Sequence, residues 1–225
     1  SLNVEGGQTT IAYNGFKPGR QIQLTNEDYE LIRTKVANME YTSAVYDGNT
    51  RTRVLGYENQ HGAFAVRSCL PDRQMLENAG IISGRFINKT DVDECRKVCV
   101  MGLPVKKVLF PHGDPINEFI EVDGIPFKVI GVFKDPGDRD NDRIYIPLST
   151  AQKAFNGKNY VNVIWSSIKK NSDVKSEALV EQARMLLAAK HHFSPADLNA
   201  IRIENWSKEY ENVMSLLSGI ELFTW

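Results

Sequence analysis

Between Gly84 and Thr150 the chain strings together short apolar runs separated by turn residues, and no other stretch constrains the fold as much. The clearest part is Phe119-Ile120-Glu121-Val122 followed by Asp123-Gly124 and then Ile125-Pro126-Phe127-Lys128-Val129-Ile130. Asp-Gly between two apolar runs predicts a tight hairpin, because a type I′ turn needs positive φ at both central residues. Gly131 inside the second run predicts a bulge or a close backbone approach. Further runs lie at Val98–Gly102 and Ile144–Leu148. Pro104 predicts the start of a helix through Leu109-Phe110, and Ser149 a cap for a short helix toward Phe155.

The flanks read differently. Thr25 with Asp28 three residues on predicts a helix N-terminus, after which Tyr29, Ile32, Val36 and Met39 recur on one face. Tyr41–Tyr46 and Thr52–Tyr57 flank Asp47-Gly48-Asn49 and read as a hairpin, with a third strand at Ala63–Arg67. Pro71-Asp72 predicts a short helix ending at Gly80 as a left-handed cap. Beyond the central stretch, Tyr160–Ile168 is β-rich. A helix follows Asn171-Ser172-Asp173 with Leu179, Ala183, Leu186 and Leu187 on one face. After Pro195 come a strand at Ala200–Ile203 and a terminal helix from Trp206. The fold class is therefore α+β. Two α/β halves complete one sheet across an inserted, mainly β subdomain. The expected divisions are 1–86 for the first half, 87–157 for the insert and 158–225 for the second half.

A chain of 225 residues with 42% apolar side chains can bury a real core. Its 27 basic and 28 acidic residues leave a net charge of −1, so no global positive field recruits nucleic acid. No run approaches the roughly 20 apolar residues that cross a bilayer. A nucleophile elbow, a P-loop and a dinucleotide fingerprint are all missing from the sequence, so ATP hydrolysis has no seat here. Asp138, Asp140 and Asp142 imitate half a calcium loop, but Arg143 and Ser149 stand where Gly and Glu belong, and a solvated turn is the expectation. His61, His112, His191 and His192 form no metal motif, and adjacent residues on a helix point about 100° apart. His191-His192 suit the C-terminal end of a helix dipole. Cys69, Cys95 and Cys99 read as buried thiols; a bridge from Cys69 to Cys95 or Cys99 is the alternative in an oxidising compartment. Asn88-Lys89-Thr90 and Asn205-Trp206-Ser207 match the glycosylation pattern, which is short enough to arise by chance. No catalytic, cofactor-binding or metal-binding residue is expected, and no cofactor.

Gly84-Arg85-Phe86, Asp114-Pro115-Ile116, the strand pair through Gly131 and Ile144–Ser149 together resemble the periplasmic core domain of MacB-like ABC transporter permeases, the family that includes lipoprotein-releasing permeases. One departure is Asn117, where the family commonly has Gly. The resemblance implies a porter-like α/β subdomain split by the insert, set between two membrane spans of a bacterial inner-membrane protein, with this segment in the periplasm. It implies an ABC ATP-binding subunit and a second permease copy as partners. A periplasmic adaptor, a lipoprotein or a cell-wall hydrolase could act on the outer side. The helix with Tyr210, Val213, Met214, Leu216, Leu217, Ile220 and Phe223 would lead to the membrane, with Trp225 at its surface. The implied function is mechanical transmission of ATP-driven motion for export or lipoprotein handling. The alternative is an FtsX-like domain that activates a cell-wall hydrolase.

Overall fold

The structure is a computed structural model and describes residues 1–48, 52–135, 142–169 and 174–206. In chain order the elements are β1 (Leu2–Gly6), β2 (Leu24–Thr25), α1 (Asn26–Lys35), β3 (Met39–Val45), β4 (Thr52–Tyr57), β5 (Gln60–Cys69), α2 (Arg73–Glu77), β6 (Gly80–Gly84), α3 (Lys89–Asp93), β7 (Val98–Gly102), α4 (Leu103–Leu109), β8 (Phe119–Val122), β9 (Ile125–Lys134), β10 (Arg143–Pro147), α5 (Leu148–Ala154), β11 (Tyr160–Val161), β12 (Val163–Ile168), α6 (Ser176–His191) and β13 (Ile201–Asn205). They fall into two compact units. One comprises Ser1–Thr42 with the chain from Val163 onward, and the other is Ser43–Asn162.

The discontinuous unit holds a four-stranded sheet in the order β13-β1-β12-β3. β1 is central and antiparallel to both neighbours, matching Leu2 to Asn205 on one side and Leu2 to Ser166 on the other. Both sequence halves thus contribute to one sheet, as the pattern of elements predicts. α6 packs on β13 and α1. Its buried face is Leu179, Ala183, Leu187 and Ala188, the three-to-four spacing of an amphipathic helix. α1 begins with the expected capping box, in which the Thr25 N–H donates to Asp28 Oδ2 at 2.8 Å.

The contiguous unit is a barrel. Its strands follow the order β6-β9-β7-β10-β5-β4-β8, and β8 pairs back onto β9, so β9, β7, β10, β5, β4 and β8 close on themselves. Closure is possible because the ten-residue β9 serves two neighbours along one edge: Ile125–Lys128 pair with β8, and Gly131–Lys134 pair with β6. The barrel interior is an apolar cluster that includes Leu55, Val66, Met101, Ile120, Phe127, Val129, Ile144 and Ile146. A second cluster of Cys69, Ala79, Phe86, Val100, Phe133 and Tyr145 packs outside it. The Asp123-Gly124 turn is present with φ of 48° and 78°, as a type I′ hairpin requires. Gly131 sits at the register shift between β7 and β9, and a Cβ there would meet the Arg85 carbonyl at 2.2 Å. Both readings of that glycine hold.

Four local expectations are corrected. β3 and β4 do not form a hairpin: β3 lies in the four-stranded sheet, whereas β4 pairs with β5 around Glu58, whose φ is 50°. Asp47-Gly48 carries the chain from one sheet to the other, and Asn49 is outside the described residues. α2 ends at Asn78, with φ of 52°, and Gly80 already begins β6. α1 stops at Lys35, so Met39 is a strand residue. Ser149 lies inside α5, whose cap is Pro147; its hydroxyl donates to the Val92 carbonyl at 2.5 Å. The compact units also divide at Thr42/Ser43 and Asn162/Val163, against the sequence divisions at 86/87 and 157/158. The physical reason is that β5 runs parallel to β10 and β4 pairs with β8, which commits both early strands to the barrel. The stretch after Asn171-Ser172-Asp173 does form α6, but those three residues lie outside the description, as does the terminal stretch from Ser207 to Trp225.

Candidate functional site

The motif residues meet at one junction of the barrel unit. Gly84 has φ of 70°, and a Cβ on it would press on the Ile130 carbonyl at 2.2 Å and on Ile116 Cδ1 at 2.9 Å. Arg85 makes two hydrogen bonds to Asp91, at 2.5 and 3.0 Å. Asp91 is fully buried and also accepts from the Asn88 N–H at the start of α3. Burial raises its carboxyl, but the Arg85 hydrogen bond, the Asn88 N–H and the charges of Arg85 and Arg96 outweigh that and hold it below the usual carboxylate range. Phe86 packs on Tyr145 with ring centroids 5.6 Å apart. Asp114 Oδ1 accepts from the Ile116 N–H at 3.0 Å, and Asn117 follows with φ of 73°. That left-handed backbone suits Asn, which is among the side chains best tolerated there. These motifs therefore specify backbone geometry and packing.

Beside the junction lies a set of buried charges. Arg73 and Arg143 are 2% and 3% exposed. Arg143 contacts Glu77 at 2.7 Å and Asp135 at 2.6 Å, and Arg73 and the Tyr145 hydroxyl also bond Glu77. Burial raises the Glu77 carboxyl, yet the two guanidinium charges overcome it and leave it below its ordinary value. Burial, then the Glu77 charge, pushes the Tyr145 phenol up. Each charge is answered by an opposite charge, so the cluster is a lock and not a proton-transfer site.

The cysteines are all free. Cys69 and Cys99 are buried, and burial pushes both thiols up. They lie on β5 and β7, which flank β10, so two strand spacings of about 10 Å separate them, beyond the roughly 7 Å a disulfide spans. They also belong to different apolar clusters. Cys95 is half-buried, with φ of 51°. Burial raises its thiol, but hydrogen bonding to Lys153 and Ser149 carries it below its usual value. Cys69 is unbridged in this structure, and buried thiols describe two of the three.

The histidines are dispersed. His191 Nε2 lies 2.9 Å from Asp28 Oδ1, and His192 stacks on Phe16 at 6.1 Å. Both stand at the C-terminal end of α6, where the dipole argument places them. His112 is exposed. Among the described residues, no group of three or more His, Cys, Asp or Glu could hold a metal ion. Asp142 is exposed before β10, while Asp138 and Asp140 lie outside the described residues. Asn88 caps α3 by accepting from the Asp91 N–H. Trp206 is 49% exposed, and the other terminal aromatics lie outside the described residues. No helix among the described residues is long and apolar enough to cross a membrane.

The feature that sequence reading does not reveal is a cavity of about 300 Å³ on the barrel's outer face, lined by Gly56, Tyr57, Glu58, His61, Phe119 and Glu121. Its signal is spread over three strands. Only pairing brings Gly56 opposite His61 and Glu121.

Comparison with known proteins places this architecture. The chain is 31% identical over 203 residues to the macrolide export ATP-binding/permease protein MacB of Chlorobaculum tepidum, covering 87% of this chain and 30% of that protein. It is 30% identical over 222 residues to the pyoverdine export ATP-binding/permease protein PvdT of Pseudomonas aeruginosa, covering 95% of this chain and 33% of that protein. It thus spans about a third of the length of these relatives. The fold matches the crystallised periplasmic region of MacB from Actinobacillus actinomycetemcomitans with a TM-score of 0.75 at 20% identity, covering 95% and 92% of the two chains. It also matches the extracellular domain of the transporter YknZ with a TM-score of 0.73 at 16% identity, covering 91% and 100%. Residues 2–186 fit the MacB-like periplasmic core domain, and the chain belongs to that family.

Proposed function

We propose that this chain is the extracytoplasmic part of an ABC export permease, and that it works by relaying motion driven by ATP hydrolysis in a cytoplasmic subunit or domain. The observation that carries the reading is the pairing of β1 with β13. The Trp206 N–H donates to the Ser1 carbonyl at 3.0 Å, and Leu2 pairs with Asn205, so chain arriving at Ser1 and chain leaving after Asn205 share one end of one sheet. A pull on either tether enters the same hydrogen-bonded body. A relay requires two stable arrangements of packed parts with different partner affinities, and no catalytic group. The partners in this reading are the ATP-binding part, a second permease copy and an outer protein such as an adaptor or lipoprotein. The division into a porter-like subdomain and a barrel insert belongs to the same reading, as does a periplasmic setting at the inner membrane. The exporters among the relatives favour export over activation of a cell-wall hydrolase.

The test replaces this domain by a flexible linker in the full-length permease, reconstituted with its ATP-binding part in vesicles. Export should be lost while ATP hydrolysis continues. Undiminished export without the domain, or ATP hydrolysis by the purified domain alone, would contradict the proposal.

A further inference from the structure

The cavity over Gly56 combines features that select a particular side chain. Gly56 forms its floor, and a Cβ there would lie 2.7 Å from His61 Nδ1, so the bare backbone is what lets the imidazole lie across it. Phe119 forms one wall and is 59% exposed. The Tyr57 ring is held against Phe110 at 4.0 Å, and its hydroxyl donates to Glu118 at 3.4 Å. Two carboxylates, Glu58 and Glu121, therefore line the cavity with the exposed Phe119 ring, and Glu118 stands at the Tyr57 hydroxyl nearby. Of the neighbouring cations, Arg53 pairs with Asp123 at 2.7 Å and lies over Phe155, while Lys128 is the cross-strand partner of Phe119 on β9, on the far side of β8 from Gly56. The apolar surface continues past the cavity to Val54, which is 58% exposed on the same face of β4, two residues before Gly56.

We propose that this cavity docks an arginine side chain carried on an apolar segment of a partner protein. An exposed aromatic wall beside carboxylates matches a guanidinium, which stacks on rings and bonds carboxylates with its planar fork, better than it matches a compact ammonium. Val54, outside the cavity, gives the segment's apolar residues a place to rest, which a free small cation would leave bare. β4 and β8 are paired on both edges, so the segment lies across the face and does not add a strand. The inference goes beyond the relay: the barrel can hold such a segment whether or not force passes through the domain.

The experiment is an NMR titration of the ¹⁵N-labelled 225-residue chain with acetylated and amidated Gly-Leu-Arg-Leu-Gly. A peptide with neutral citrulline in place of the arginine is the control. Saturable shifts should centre on Gly56, His61, Phe119 and Glu121, with the citrulline peptide at least about tenfold weaker. Added salt should weaken the arginine peptide and leave the control unchanged, since a partly exposed ion contact loses strength as the screening length shortens, to about 10 Å at 0.1 M and about 3 Å at 1 M. Glu58→Gln with Glu121→Gln should reduce the arginine peptide to the level of the control; if that variant loses its fold, the citrulline and salt comparisons on the unaltered chain decide. Equal binding of the two peptides, shifts centred elsewhere, or no saturation by about 10 mM would overturn the proposal.

Discussion

In the discontinuous unit, buried polar groups join the two sequence halves in addition to buried apolar residues from both, such as Leu2, Val4, Ile164 and Ile201, whereas the barrel unit closes around an apolar interior. Asp197, 1% exposed, accepts from the Thr10 N–H, the Thr10 hydroxyl and the Ile11 N–H. Asp28, fully buried, receives Lys190 at 2.8 Å and His191 at 2.9 Å. Arg20 donates to the carbonyls of His191 and His192, closing the end of α6. Each of these joins the first forty residues to the last. In the barrel unit the buried charges of Arg143, Glu77 and Asp135 stand beside an interior that is itself apolar. The difference teaches that a sheet assembled from two separated halves adds partners that recognise each other by direction to the burial, itself non-directional, that both units share.

The largest effect should follow from opening the barrel unit's charge lock. Arg143→Met leaves Glu77 and Asp135 without that guanidinium and should destabilise by about 3–5 kcal/mol, read as a lowered urea midpoint at unchanged slope. A loss under about 1 kcal/mol would show that the charges matter little beside the apolar interior. Gly84→Ala comes next, at about 2–3 kcal/mol, because its positive φ and the nearby Ile130 carbonyl oppose any side chain.

In the discontinuous unit, Asp28→Asn should cost about 1–2 kcal/mol at neutral pH. Burial raises the Asp28 carboxyl, but hydrogen bonds from His191 and Lys190, the His191 charge and the Thr25 N–H lower it further, and the net position is below the ordinary carboxylate value. A depressed folded pKa adds stability that is fully present above the unfolded value of about 3.9 and fades as pH falls through the folded one. The gap between the natural chain and Asp28→Asn should hold steady from about pH 7 to 5 and narrow below about pH 4; a gap that widens in acid would reverse the assignment. Smallest of all is Arg33→Ala, whose pair with Glu30 leaves both side chains about half exposed, with an expected change below about 0.5 kcal/mol in thermal unfolding.

What could be read from the residues alone follows the range of the interactions. The capping box at Thr25 and Asp28 and the Asp123-Gly124 hairpin are decided within four residues, so both were legible. Asp47-Gly48-Asn49 carries equally good turn chemistry, yet the strands on either side part into different sheets. What decides them is the pairing of β3 with β12 and of β4 with β5 and β8, and most of those partners lie far along the chain. The parallel match of β5 to β10 joins Ala65 to Arg143, and no local pattern announces it. The Gly56 cavity was invisible for the same reason. Its glycine reads as a weak strand residue until His61 and Glu121 are set beside it. Asn117 is the converse case, since its left-handed φ of 73° is set within one turn and suits the residue found there.

The account rests on β1 and β13 carrying motion as one joined strand pair, and a clamp between them tests that directly. In the full-length permease with Cys95→Ser, Glu5→Cys and Arg202→Cys place two thiols at a matched, exposed pair of positions on those strands. Export per ATP hydrolysed is then compared before and after oxidation. The relay predicts an unchanged ratio, because the clamp fixes strands that already move together; a ratio that collapses on oxidation and returns with reductant would show that the strands separate during the cycle and would contradict the account.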